Sequence, residues 1–213
     1  MRSLIGIAAL LFSFPTLAIQ VIALKGNVKY KNQDGQFVGL KENQTFKTQA
    51  TFRTGRKSLV LLKLTNGSRV KLNAQTTLSV KDQIEAEVDL SQGSVFVKFN
   101  KEKGKSFRLK TRTAVAGVRG TEFFTSYGSN ENGDDVWLCV NEGVVRVENL
   151  NTKSVKNVKQ GEGVGIPSGK ETTDPKPLAW TKKLNWNMDS DSDLENTVSI
   201  EAAYTDLLDE DYD

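Results

Sequence analysis

Between Val21 and Ile166 the chain is a succession of short runs in which apolar and polar residues alternate, and no apolar stripe of helical period persists. Val60, Leu62 and Leu64 alternate with residues that include Lys63, the dipeptide Asn66-Gly67 intervenes, and Val70 and Leu72 resume. Two alternating runs flanking Asn-Gly are the strongest local hairpin signal, because that pair accepts the positive φ angles of a tight turn. Ile84, Ala86, Val88 and Leu90 repeat the period of two, and GSVFVKF, SFRLKTRTAVAG, VWLCV and GVVRVENL follow. β-branched and aromatic residues fill the runs, and Gly, Asn and Asp collect between them. An all-β fold is expected.

A looser recurrence accompanies the alternation. Gly26, Gly93 and Gly143 each follow a polar residue and stand just ahead of valine. Their unequal spacing excludes a strict linear repeat. It is compatible with a twisted β-solenoid whose coils turn at glycine, and equally with a β-sandwich whose turns share their chemistry. Gly67 and Gly161 are expected as further turn glycines.

The ends differ from the body. Residues 1–18 hold one arginine, an apolar run from Leu4 to Phe14, Pro15 and a small-residue ending at Ala18, the layout of a cleaved secretory signal. The run is shorter than the roughly 20 residues a membrane helix needs. A second spanning segment is absent, so the mature chain is expected to be exported, periplasmic or secreted. Residues 19–166 then form the β domain. Residues 167–187, with Pro167, Pro175 and Pro177, form a linker or strap, because proline removes backbone donors and restricts its predecessor. Residues 188–213 form an acidic tail, with Ile200, Ala203, Tyr204, Leu207 and Leu208 on one face of a short helix over 198–208 as one reading and disorder as the other.

Composition removes whole classes of chemistry. The chain has no histidine and a single cysteine, Cys139. Histidine-based triads and imidazole-dependent zinc sites are excluded, as is a disulfide-stapled fold. Cys139 has no histidine base and reads as a small core residue. Trp137 and Cys139 oppose Val136, Leu138 and Val140 in strand parity, so this strand is expected to be covered on both sides, with Trp180 and Trp186 as candidates for the second cover. Ser190-Asp191-Ser192-Asp193 lacks the glycine and terminal glutamate of a calcium loop, and Gly161-Glu162-Gly163-Val164-Gly165 lacks the lysine-serine ending of a phosphate loop. No metal, cofactor or catalytic residue is expected. Carbohydrate processing by paired carboxylates finds no pair that can be placed across a cleft.

Charge is segregated. From Ile19 to Lys183 there are 28 Lys and Arg against 16 Asp and Glu, a net of +12; from Leu184 onward there are 10 acids and no bases. The tail is thus expected to fold back transiently on the body. Lys98, Lys101, Lys103 and Lys105 form the densest basic cluster and are candidate contacts for an anionic glycan or an envelope protein. Nucleic acid is disfavoured by the export signal and the missing groove-reading motif.

The stretch GVRGTEF places Arg119 between Gly117 and Gly120. Either glycine would remove bulk where another strand approaches, or supply positive φ at a bend. Arg119 would direct its planar fork at backbone carbonyls or at a carboxylate, with Glu122, Glu142 and Glu148 as candidates, since a buried guanidinium is costly unless paired. The run from Thr113 to Phe123, with Gly117, Arg119, Gly120, Thr121 and Phe123 as its fixed points, resembles the signature of the FecR-like domain family. Thr54 to Leu72, Leu90 to Val95, Val140 to Val147 and Val158 to Glu162 resemble that family's other blocks in order. The resemblance implies a compact, twisted β-solenoid-like domain on the periplasmic side of a bacterial envelope and supplies no catalytic residues. The family includes regulators that relay a receptor's state to a sigma factor, but no sigma-binding region or internal membrane helix stands beside this domain. The expectation is therefore a freestanding, non-enzymatic binding or scaffold module, with periplasmic regulation through protein contact as the alternative.

Overall fold

The structure is a computed structural model; it describes residues 18–83, 85–100, 106–118, 120–130, 133–177 and 179–196. The chain winds between two stacked β layers. β1 (Ile19–Lys25) lies in the first layer, β2 (Val28–Lys31) and β3 (Phe37–Gly39) in the second, and β4 (Thr45–Phe46) returns to the first. β5 (Gln49–Thr54) is in the second layer, β6 (Leu59–Lys63) and β7 (Arg69–Leu72) in the first, and β8 (Thr77–Asp82) in the second. β9 (Glu85–Phe99) begins in the second layer and ends in the first. β10 (Ser106–Lys110) and β11 (Ala114–Val118) continue the second layer, β12 (Thr121–Asn130) and β13 (Gly133–Glu142) the first. β14 (Val144–Asn149) and β15 (Val155–Lys159) close the second, and β16 (Glu162–Ile166) and β17 (Lys176–Pro177) the first.

Neighbours in each layer follow chain order closely. The first reads β4-β1-β6-β7-β9-β12-β13-β16-β17, and the second β3-β2-β5-β8-β9-β10-β11-β14-β15. The β9–β10 pair is parallel and the other ladders are antiparallel, so the sheet is mixed, and neither layer closes into a barrel. This path reconciles the two readings left open by the sequence: the cross-section is a sandwich and the progress along it is solenoid-like.

The alternation fills the space between the layers. Phe52, Leu78, Val80, Val88, Leu90, Phe107, Val145 and Val158 from one layer meet Val60, Leu62, Val70, Leu72, Val95, Val97, Phe123 and Val140 from the other, all at 0% exposure. Phe107 and Phe123 meet across the gap in a T-shaped pair, centroids 6.3 Å apart. Burial of this apolar set is the dominant stabilising term.

The glycine recurrence marks the corners between layers. Gly26 (φ +75°) separates β1 from β2, Gly93 (φ +91°) lies where β9 crosses, and Gly143 (φ +85°) separates β13 from β14. A Cβ on Gly93 would lie 2.4 Å from Thr76 Oγ1 and 2.6 Å from Thr76 Cα, so only glycine fits. Successive corners are stitched together. Gly55 N donates to Asn27 O at 2.9 Å and Gln75 N to Gly55 O at 3.0 Å, while Ser94 N donates to Thr76 Oγ1 at 3.0 Å. Gly161 (φ +80°) lies between β15 and β16, and Gly67 (φ +79°) makes the β6–β7 hairpin with Asn66, whose Oδ1 accepts from Ser68 N at 2.9 Å.

Two breaks interrupt the alternation. Phe107 to Val115 does not keep one parity, because Thr111 to Ala114 forms a tight turn: Thr111 N donates to Ala114 O at 2.9 Å, and Ala114 N to Thr111 Oγ1 at 3.0 Å. β10 and β11 therefore form a hairpin, and Val115 is half-buried while Ala114 and Ala116 face the core. The run from Thr113 to Phe124 is likewise not one strand. It breaks between β11 and β12 and changes layer there.

Candidate functional site

The two outer faces differ in kind. On the second layer, charged side chains from adjacent strands satisfy one another. Glu87 accepts from Lys110 Nζ at 2.9 Å and lies 3.9 Å from Lys81 and 4.0 Å from Arg108, which pairs with Glu85 at 2.7 Å. The hydrogen bond from Lys110 holds the Glu87 carboxyl below its usual range. Over β8 to β10 this is a solvated sheet face whose charges are matched in pairs.

The outer face of the first layer is apolar at its centre. Leu59 and Leu61 from β6, Phe96 from β9, Phe124 from β12, and Trp137 and Cys139 from β13 form a second hydrophobic cluster, separate from the core. Phe96 and Phe124 lie 4.8 Å apart by centroid. The C-terminal segment covers this patch: Leu184, Met188 and Leu194 are buried against it, and Trp186 stands edge-on to Phe96 at 5.1 Å. The second cover expected for the Cys139 strand is thus the C-terminal segment, with Thr181 against Cys139 and Trp186 against Phe96; the side chain of Trp180 lies outside the described residues. Burial pushes the Cys139 thiol up to about 12, so it is a packing group and not a nucleophile.

A polar tie runs through the apolar patch. Lys71, which alternation places on the outer face of β7, has 0% exposure. Its Nζ donates to Asn185 O at 2.6 Å, Asn187 O at 3.0 Å and Leu194 O at 3.2 Å, and lies 4.4 Å from the centroid of Phe96. Burial lowers Lys71 to about 8, against the raising influence of Glu122 and Asp193. Arg69 Nη1 donates to Met188 O and to the Asp189 carboxylate, and Lys25 pairs with Glu195 at 2.6 Å.

The covering segment is closed on itself. Asn185 N donates to Asn196 Oδ1 at 2.9 Å, and Asn185 Nδ2 donates to Asp193 O at 2.8 Å and Glu195 O at 2.7 Å. Such a loop, ends together and packed by its own side chains, needs no strand pairing. Asp191 and Ser192, read from the sequence as part of a solvated acidic tail, sit at its exposed turn. Trp186 is expected in the cover, whereas Leu184, Met188 and Leu194 follow no regular period that marks them for burial. Beside the end of this segment a cleft of about 830 Å³ opens, lined by Lys57, Gln75, Gln92, Tyr127 and the segment's own Leu194 and Glu195.

The residues singled out from the sequence fall in several places. Arg119, Lys101, Lys103, Lys105, Trp180's side chain and the 198–208 helix lie outside the described residues. Lys98, half exposed, faces Glu122 at 3.6 Å, and Glu122 also accepts from Asn141 Nδ2 at 2.6 Å. Glu148 pairs with Arg146 at 3.1 Å, and Glu142 is exposed. Gly120 has φ +68° at the corner between β11 and β12, and its carbonyl is 2.8 Å from where a Cβ on Gly143 would lie. Gly117 differs from both roles considered for it: its φ is not positive, and nothing lies within 4 Å of a Cβ placed there. Thr121 and Phe123 are buried, and the Thr121 hydroxyl has no hydrogen-bond partner among the described residues. Among those residues, no group of three Cys, Asp or Glu side chains is placed to hold a metal, and no helix is long and apolar enough to cross a membrane.

Two open β layers joined by stacked glycine corners, with one face sealed by a coil, define an all-β domain. Residues 50–146 match the sequence model of the family described as FecR protein, and the chain carries a FecR-like domain. The layers extend beyond the matched stretch on both sides, through β1 to β4 and β15 to β17. Two crystal structures, each of a candidate anti-sigma factor from Parabacteroides distasonis ATCC 8503, are similar in fold. One aligns with TM-score 0.52 and 21% identity over 60% of this chain and 59% of its own, the other with TM-score 0.54 and 21% identity over 64% and 68%. The alignment thus spans about three fifths of the first and two thirds of the second. No curated protein matches the chain.

Proposed function

We propose that this chain is an exported, non-catalytic FecR-like module of the bacterial envelope that works by protein contact through the outer face of its first layer. The observation that carries this reading is the apolar patch of Leu59, Leu61, Phe96, Phe124, Trp137 and Cys139, which lies outside the core on a sheet face. Residues 184–196 cover that patch, so a partner reaches it only where the cover gives way, and an apolar sheet face exposed in that manner is a contact surface. The FecR-like domain supports a place on the periplasmic side, as does the start of β1 at the fully buried Ile19, directly after the expected cut at Ala18. The paired charges of β8 to β10 and the engagement of Lys98 with Glu122 favour protein over an anionic glycan.

Site-specific photocrosslinking in cells tests this. A crosslinker at Ser126 or Lys57, beside the covered face, should trap a defined envelope protein, and one at Thr51 on the second layer should not. Equal trapping at both positions, or glycan adducts in place of protein, would overturn the reading.

A further inference from the structure

We propose that residues 184–196 are a displaceable cover, and that the face beneath them receives an acidic, aromatic-bearing extended segment of a partner protein. The inference rests on the protein-contact reading and adds the partner's chemistry and its control.

The cover is held by groups that a competing segment can use in the same way. Among the described residues its backbone joins no strand ladder, and its links to the layer include the three carbonyls on Lys71, the Met188 carbonyl on Arg69, two surface ion pairs and the apolar side chains. Removing it therefore breaks no sheet pairing. What it leaves behind is specific. An ammonium with three donors stands in an apolar surround, Arg69 and Lys25 flank it, and the ring of Phe96 lies open to an edge-on aromatic. Lys71 cannot remain buried without oxygen acceptors, because an unpaired buried charge is costly. Any occupant must bring carbonyls to its Nζ, apolar side chains to Phe96 and Trp137, and acids to Arg69 and Lys25. A neutral helix brings none of the first, since its carbonyls are used internally. An irregular acidic segment with a tryptophan or leucine brings all three, as LNWNMDSDSDLEN does in cis.

The cleft supplies the way in. It opens against Leu194, Glu195 and Asn196, where the contacts beyond the buried Leu194 include the exposed Lys25–Glu195 ion pair and the bond from Asn196 Nδ2 to Asn73 Oδ1 at 3.2 Å. The exposed ion pair contributes little, so entry from the cleft meets its least resistance at Glu195.

The test uses the full mature chain and a labelled synthetic peptide with the sequence of residues 184–196. A tethered segment acts at an effective concentration of about millimolar, so it outcompetes the free peptide. Wild type should bind the probe weakly. Leu184→Ser with Met188→Ser, and separately Asp189→Asn with Glu195→Gln, loosen the cover without touching the face; the first should tighten binding at least tenfold and the second about threefold. Adding Lys71→Met to either should abolish the gain. No gain in either background, equal binding of a scrambled peptide, or dimerisation of the loosened chain through exchanged covers would each overturn the proposal. Failure here with the Ser126 crosslink intact leaves the protein-contact reading standing; loss of the crosslink removes that reading itself.

Discussion

Lys71 stands over the ring of Phe96, its Nζ 4.4 Å from the centroid, with three backbone carbonyls of the C-terminal segment completing its surroundings. A sheet residue that alternation turns outward is thereby made the anchor of a segment more than a hundred positions away. Cation and ring attract electrostatically, and the attraction grows as water is excluded.

Replacing this lysine should lift the cover. Lys71→Met keeps the apolar stem but orphans the carbonyls of Asn185, Asn187 and Leu194, and an unsatisfied buried acceptor costs roughly 1–3 kcal/mol. That loss outweighs the relief of no longer burying a charge. Amide hydrogen exchange over residues 184–196 should quicken in the variant, while β6 and β12 keep their protection.

The docking equilibrium should respond to alkali with a definite sign. Docked Lys71 titrates near 8, against 10.5 for the free side chain. Between these values the released state binds more protons, so docking expels a proton and strengthens as pH rises from 8 towards 10; below 8 both states hold the proton and docking strength is constant. Acrylamide quenching of tryptophan fluorescence should fall over that range in wild type and stay flat in Lys71→Met.

The glycines should separate into two kinds. Gly93→Ala forces positive φ on a residue whose Cβ would meet Thr76, and should cost roughly 3 kcal/mol or more, from the strained backbone together with the clash. Gly117→Ala has open space and an ordinary φ, and should be neutral or stabilising by about 0.4–1 kcal/mol through the unfolded chain. Urea midpoints of the two variants measure this directly.

The all-β class was legible because alternation and turn chemistry are local: Val60 to Leu72 reads as a hairpin and is one. The recurrence around Gly26, Gly93 and Gly143 was visible, but its meaning required knowing which strands change layer. Where the chain leaves a strand for another layer, as between Val118 and Thr121, the period of two carries no warning. The candidate site was the least legible part. Lys71 looked like any solvent-facing lysine in an alternating strand, and the segment that buries it looked like an acidic tail. Only Trp137 and Cys139, apolar on the side opposite the core, signalled that something must cover them.

Cys139 also provides the most direct measurement of the central claim. It is the chain's single cysteine and lies in the covered patch, fully buried. Labelling by a thiol reagent at neutral pH, without denaturant, should be slow in wild type and at least tenfold faster in Lys71→Met, with the urea midpoint of the β layers little changed. Equal rates in the two proteins would show that the lysine does not hold the cover down, and fast labelling of wild type would show that the C-terminal segment from Thr181 onward does not seal this face.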